Sequence, residues 1–387
     1  MAGATCLLRF LFSVIRIAHG ADFNIKNFGA KAMSNAWKVA CVSTNPSTVL
    51  IPNGKCIVGP LTFQGPCKAP VSVQVQGNVL APTYLNIFKS QNGWMVFQNI
   101  DRLMVSGTGT FDCQGSLAWS QNNCAKTGTC NSLPINLAFT SITNSKIQDI
   151  SSLNSKLFHM NILNCKNVTL QHIIIRVPQE SLNTDGIHSG CSSGININTG
   201  AYIKTGDDCV SLGDGSQQTN IENVTCGPGH GFCVGSLGKY HDEQPVMGVT
   251  VRSYTLTSTM FGVRVKTWPN SPSGIASYLD FEDIVMNNVS SCLLIDQEYC
   301  PYAQCNAEVP SRVKISNVSL IKNIQGTSVT KQAVKIICSR SIPCQNVQIS
   351  DISLQYNGKD GPITSVCKNV KPSAFGKLNP PACANYN

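Results

Sequence analysis

Charge is scarce in this chain. Asp, Glu, Lys and Arg together make up 13% of the 387 residues, about half the ~25% of ordinary soluble domains. That shortage excludes a long solvated helix or coiled coil, which needs Glu, Lys and Arg in bulk. A disordered chain is excluded from the other side, because 42% of the residues are hydrophobic and disorder needs low hydrophobicity and high charge. No run of Lys and Arg suggests a nucleic-acid-binding arm. Beyond the N-terminal segment, no apolar run reaches the ~18 residues that a membrane span needs. C-x-x-C pairs are missing, so the cysteines do not read as zinc ligands. What remains is Val, Ile, Thr, Ser, Asn and Gly in quantity, the composition of an all-β protein rich in turns.

The net charge is +9. Such a balance suits an acidic partner such as an acidic polysaccharide, although it also serves solubility alone. There are 19 cysteines; Cys6 lies near the N-terminus and eighteen, an even number, are spread along the rest. That pattern predicts disulfides in an oxidising compartment. The short spacings Cys300/Cys305, Cys338/Cys344 and Cys367/Cys383 suit small local loops. Residues 1–20 read as an atypical signal peptide. Cys6 to Ile17 is apolar and Ala18-His19-Gly20 has small residues at the cleavage positions, but Arg9 and Arg16 interrupt the run and no basic residue precedes it. Four N-x-S/T sequons, at Asn167, Asn223, Asn288 and Asn317, are glycosylation candidates and agree with secretion.

The sequons sit in a repeat. Lys166–Leu170, Gly194–Ile197, Glu222–Thr225, Gly248–Val251, Ser316–Leu320 and Gln345–Ile349 are short alternating strands, often led by Asn. Asn167 to Asn196 is 29 residues, Asn196 to Asn223 is 27, and Asn288, Asn317 and Asn346 are 29 apart. A loose period made of strands predicts a solenoid, here a parallel β-helix. Residues 21–387 then form a single domain, with Ala36–Val42 as a helix capping one open end, asparagines stacked inside, and an irregular tail after Cys367.

Four segments carry chemistry: Asn183-Thr184-Asp185, Gly206-Asp207-Asp208, Gly229-His230-Gly231 and Arg264-Val265-Lys266. Asp185 to Asp207 and Asp208 to His230 are both 22 residues. With one coil per 22 residues these side chains stack on one face, about 4.7–4.9 Å per coil. Carboxylates one or two coils apart then bracket the ~6.5–9.5 Å separation that inverting glycosidases use. Crowded aspartates cannot all ionise cheaply, so one keeps its proton to higher pH. Arg264 and Lys266, two apart, share one face of a strand and suit a substrate carboxylate. Singly these motifs are ordinary: a turn, a loop histidine, a solvated strand face. The aspartates and His230 also suit a calcium or manganese ion. The joint spacing favours hydrolysis.

These residues resemble the polygalacturonases of glycoside hydrolase family 28. The resemblance rests on Asn183–His188, Gly206–Cys209, Cys226–Gly231 and Gly262–Lys266, and spans about Asp22 to Cys383. Gly235–Tyr240 and Asp296–Pro301 resemble the plant exo-acting, pollen-type branch. It implies a right-handed parallel β-helix that hydrolyses α-1,4-galacturonan with inversion, with no metal and no cofactor. It implies Asp207 as general acid, Asp185 and Asp208 activating water, and His230 tuning the acid. It further implies Asn183, Arg264, Lys266 and Tyr299 as substrate-binding residues and a Cys209–Cys226 disulfide. A secreted, monomeric cell-wall enzyme acting on pectin is expected, with neither nucleic acid nor membrane as partner. The alternatives are a rhamnogalacturonan or xylogalacturonan hydrolase, and a catalytically impaired wall-binding β-helix. The chain departs from the family pattern by a short stretch between Gly29 and Trp37, by Val265 and Leu182, and by Cys56, Cys113, Cys191, Cys233 and Cys292.

Overall fold

The computed structural model describes residues 21–24, 26, 32–88, 93–122, 133–198, 200–301, 305–383. The expected signal peptide lies outside them. Among the described residues the paired strands run parallel, in an 11-stranded sheet and a 20-stranded sheet. The smaller sheet takes one strand from each coil: Met160–Leu163, Ile187–Gly190, Val210–Leu212, Phe232–Leu237, Phe261–Thr267 and Ser291–Asp296 follow one another in its middle. The larger sheet takes the remaining strands and wraps the other faces. This is a parallel β-helix.

Alternation builds the core. Every second strand residue points inward, and parallel stacking places like on like from coil to coil. One such column runs Leu170, Ile197, Ile221, Val251, Phe281, Leu320, Ile349. All seven are buried, each contributing about 1.5–3 kcal/mol by leaving water. Phe63, Phe97 and Phe139 stack likewise, with centroids 4.5 and 5.1 Å apart.

The cap is a helix over Ala32–Val42, four residues longer at its start than the sequence suggests. Met33, Ala36, Trp37 and Ala40 face the open end of the core. The Trp37 ring meets Phe63 edge-on at 5.1 Å, and Cys41 is bonded to Cys67. The tail after Cys367 is more regular than expected. Ser373–Asn379 is a strand that pairs with Gln345–Tyr356.

The repeat is real, but its phase differs from the asparagine spacing. Asn196 pairs with Thr169 and Asn220, whereas Asn167 lies opposite Gly194. The aligned corner positions are Asn167, Gly194, Gln218, Gly248, Tyr278, Asn317 and Asn346, all left-handed with φ between 50 and 71°. Asn223 belongs to a second such corner, with Gly200, Ser253 and Asp283. Asn tolerates this conformation better than other residues with a Cβ, so it recurs at more than one corner per coil. The sequence spacings mixed three corners and one mid-strand position, since Asn288 aligns with Ser258 at a third corner and Asn196 lies within a strand. Amide ladders do form, with Asn167 donating to Asn144 at 2.9 Å and Asn346 to Asn317 at 3.0 Å, but on the outer surface, not inside.

The disulfides include Cys209–Cys226, Cys300–Cys305, Cys338–Cys344 and Cys367–Cys383. Full pairing of eighteen cysteines does not hold. Cys56, Cys113, Cys165, Cys191, Cys233 and Cys292 are free. Four of them, Cys113, Cys165, Cys233 and Cys292, are buried and serve as small apolar side chains. Cys6, Cys124 and Cys130 lie outside the described residues.

Candidate active site

Neighbouring coils bring all the singled-out residues to one cleft on the smaller sheet. Ile187 pairs with Val210, 23 positions on, and Val210 with Phe232, 22 positions on. Asp185 therefore stacks beneath Asp208, not beneath Asp207, and Asp208 beneath His230. The 22-residue spacing held for the second step and missed the first by one residue. Asp207 stands one position before that column. Phe158 continues the same column at one end, and the Phe261 ring meets His230 edge-on at 6.1 Å.

Glycine makes the close stacking possible. A Cβ on Gly206 would sit 1.8 Å from the Ser181 carbonyl oxygen, and one on Gly186 would sit 2.4 Å from that of Cys209. The Cys209–Cys226 disulfide ties the aspartate coil to the next strand.

The three aspartates have different surroundings. Asp208 is 2% exposed. One of its oxygens accepts from Arg264 Nη2 at 2.7 Å and the other from Lys266 Nζ at 3.2 Å. Burial works to raise its pKa, but Lys266 and Arg264 outweigh burial and hold it below the ordinary carboxylate value. Asp185 is 7% exposed. Burial first, then the charges of Asp207 and Asp208, push its pKa well up. Its Oδ2 accepts from Ser211 Oγ at 3.0 Å, and Ser211 Oγ lies 2.8 Å from His188 Nδ1. Burial lowers the His188 pKa to about 4, so the ring is neutral. With Ser211 donating to Asp185, Ser211 accepts from Nδ1–H of His188. Asp207 is the most open of the trio, its side chain 20% exposed. It takes His230 Nδ1 at 2.9 Å, its own neighbour's amide (Asp208 N) at 2.9 Å, and Asn183 Nδ2 at a long 3.5 Å.

The cleft encloses about 620 Å³. Tyr299 forms part of its wall, 5.2 Å from Lys266 Nζ and edge-on to Trp268 at 5.6 Å. Arg264 lies over the Phe261 ring at 4.0 Å. Arg264 and Lys266, expected to face a substrate carboxylate, both engage Asp208 in this structure. Sequence reasoning missed Ser211 and gave no role to His188; His188 ends one quoted motif, Ser211 lies two residues past another, and the two share one register column.

Ligand atoms of Asp207, Asp208 and His230 lie within 4.8 Å of one another, close enough for a cation. Against that, Arg264 and Lys266 already take both oxygens of Asp208 and would repel a divalent ion. A buried carboxylate whose pKa is held down beside one whose pKa is pushed up, both under an open cleft, instead suits acid–base hydrolysis of a glycosidic bond.

A parallel β-helix with such a carboxylate site defines a glycan-cleaving hydrolase of the solenoid type. The sequence profile of "Glycosyl hydrolases family 28" matches residues 41–382, and the chain belongs to this family. It is similar to an exopolygalacturonase of Arabidopsis thaliana, 57% identical over 95% of this chain and 82% of that protein. It is also similar to the exopolygalacturonase of Platanus acerifolia, 50% identical over 93% of this chain and 97% of that one. Among solved structures it resembles the exopolygalacturonase of Thermotoga maritima with a TM-score of 0.76 at 18% identity, covering 93% and 92% of the two chains. At that identity the likeness shows the fold.

Proposed function

We propose that this protein hydrolyses α-1,4-galacturonosidic bonds of de-esterified pectin with inversion, removing galacturonate from chain ends. The observation that carries the mechanism is the contrast between Asp208, whose two oxygens are paired with Arg264 and Lys266 and whose pKa is thereby lowered, and buried Asp185, whose pKa burial and the neighbouring aspartates raise. Family membership and the similarity to exopolygalacturonases support the substrate and the exo mode.

The trio shares one proton. In the free site it rests on Asp185. The reactive arrangement has it on Asp207, the open carboxyl, which then donates a hydrogen bond to the glycosidic oxygen. Bound substrate offers that acceptor and so favours the shift, since a ligand selects the state that it contacts better. Asp207 passes its proton to the leaving oxygen as the C1–O bond breaks. A water held by Asp185 and Asp208 attacks C1 from the opposite side and gives its proton to the now ionised Asp185. The trio ends with one proton on Asp185, which is its resting state. His230 positions Asp207. Arg264 and Lys266 keep donors beyond those used on Asp208 and bridge it to a substrate carboxylate, while Asn183 and Tyr299 shape the sugar site.

We further propose that the protein is secreted to the cell wall as a monomer. Disulfides such as Cys209–Cys226 and Cys338–Cys344 support an oxidising compartment. Asn167, Asn223 and Asn288 are exposed corner residues, which suits glycosylation; Asn317 is half-buried. Sized products from polygalacturonate, rhamnogalacturonan and xylogalacturonan test the substrate: release from the first alone is expected, and preference for either of the others would refute it.

A further inference from the structure

The substrate brings its own negative charge into a cleft whose two deep cations are already engaged. Arg264 and Lys266 each contact Asp208. Drawing them fully onto a substrate carboxylate would remove what keeps Asp208 ionised. A polyanionic substrate therefore calls for another cation at the wall of the same cleft.

Lys239 fits that place. It lines the cleft with Ser236, Tyr240 and Tyr299. No carboxylate lies within ion-pair distance of its ammonium among the described residues. It stands 5.5 Å from the ring centroids of both Tyr240 and Trp268, so its stem is supported while its head stays exposed. The turn beneath it is also held. The Glu243 carboxylate accepts from the backbone amides of Gly238, Lys239 and Tyr240, the last two at 2.9 and 3.0 Å. Trp268 is fixed in turn by donating to Ser236 Oγ at 2.9 Å. Glu243 is thus spent on backbone amides, which leaves the Lys239 charge unneutralised. Gly235–Tyr240 is also the quoted motif from which the proposed mechanism takes no residue.

We propose that Lys239 is a specificity-determining residue that binds the carboxylate of a galacturonate unit at the cleft wall, on a pre-formed platform of Tyr240 and Trp268. The inference rests on the galacturonan reading. A lysine aimed at a charged unit away from the breaking bond contributes to ground-state and transition-state binding alike, so its loss raises KM and spares kcat.

The test compares wild type with Lys239→Met, which keeps an apolar stem on the rings and removes the charge, and with Lys239→Arg, which keeps the charge. On polygalacturonate, Lys239→Met should raise KM about tenfold, as expected for one charge-assisted contact. Its kcat should stay within about twofold and its pH profile should not move. Lys239→Arg should restore most of the loss. Added salt should weaken wild type more steeply than Lys239→Met. An unchanged KM in Lys239→Met overturns the proposal, as does an Arg variant as impaired as the Met variant. If wild type proves inactive on this polymer, the galacturonan hydrolysis reading fails separately. Calorimetric titration with trigalacturonate then still decides Lys239: about tenfold weaker binding by Lys239→Met supports the contact, and equal affinity, or no binding by wild type, overturns it.

Discussion

Asp185 and Asp208 occupy neighbouring coils, yet the same chemical group is stabilised in opposite forms. The folded pKa of Asp208 is lowered. Its stabilising effect is present above the ordinary carboxylate pKa and is lost as pH falls through the lowered value. The folded pKa of Asp185 is raised. Its ionisation is therefore resisted by the fold, and stability is lost as pH rises from the ordinary value of about 3.9 toward the raised one. Asp185→Asn should thus match wild type in melting temperature at low pH and exceed it increasingly as pH rises, while hydrolysis falls by about a thousandfold. Thermal melts across pH, set beside rates, check both halves; a variant less stable at neutral pH would contradict the assignment. Arg264→Met leaves a buried carboxylate with one cation. It should cost about 3–5 kcal/mol, read from denaturant midpoints. Of this residue-scale picture, the membership of the trio was legible from motif and spacing. The engagement of Arg264 and Lys266 by Asp208 was not, because strand alternation gives a side chain's face and not its partner.

Coils are the element that converts spacing into geometry. A one-residue difference between the 23-position step from Ile187 to Val210 and the 22-position step from Val210 to Phe232 decides which aspartate stacks under which. Sequence gave the coil length only loosely, since Phe232 pairs with Val263, 31 positions on, and Leu293 with Val334, 41 positions on. Turns absorb the extra residues, so period alone cannot set register. The alternating strands were legible because their inward residues are aliphatic in coil after coil. The corner asparagines misled for a physical reason: left-handed corners occur more than once per coil, and Gln218 and Tyr278 fill some of them. Two outcomes follow for the elements. Ile221→Ala, in the middle of the aliphatic column, should cost about 2–5 kcal/mol in urea unfolding. Gly206→Ala should perturb the trio, because its Cβ would collide with the backbone of the coil below; the check is loss of activity at a melting temperature no higher than that of wild type.

Over the whole molecule, a narrow aliphatic core, local disulfides and a charge-poor surface hold a long solenoid whose aspartate trio lies under a cleft of about 620 Å³. The even cysteine count predicted disulfides without saying which cysteines pair, and strand interiors also accept free cysteine as a small apolar residue. Thiol titration of the unreduced protein in denaturant should therefore find at least the six unpaired cysteines of the described residues, and a value near one would contradict the structure. The net charge of +9 is consistent with a polyanionic substrate, and the cations that matter are few and placed. The most direct test of the account is product release from de-esterified polygalacturonate by wild type and Asp207→Asn, in chelator at mildly acidic pH. The account predicts galacturonate monomer from wild type and a loss of about a thousandfold or more in the variant. An unsaturated, ultraviolet-absorbing product, dependence on a divalent cation, or undiminished hydrolysis by Asp207→Asn would contradict it.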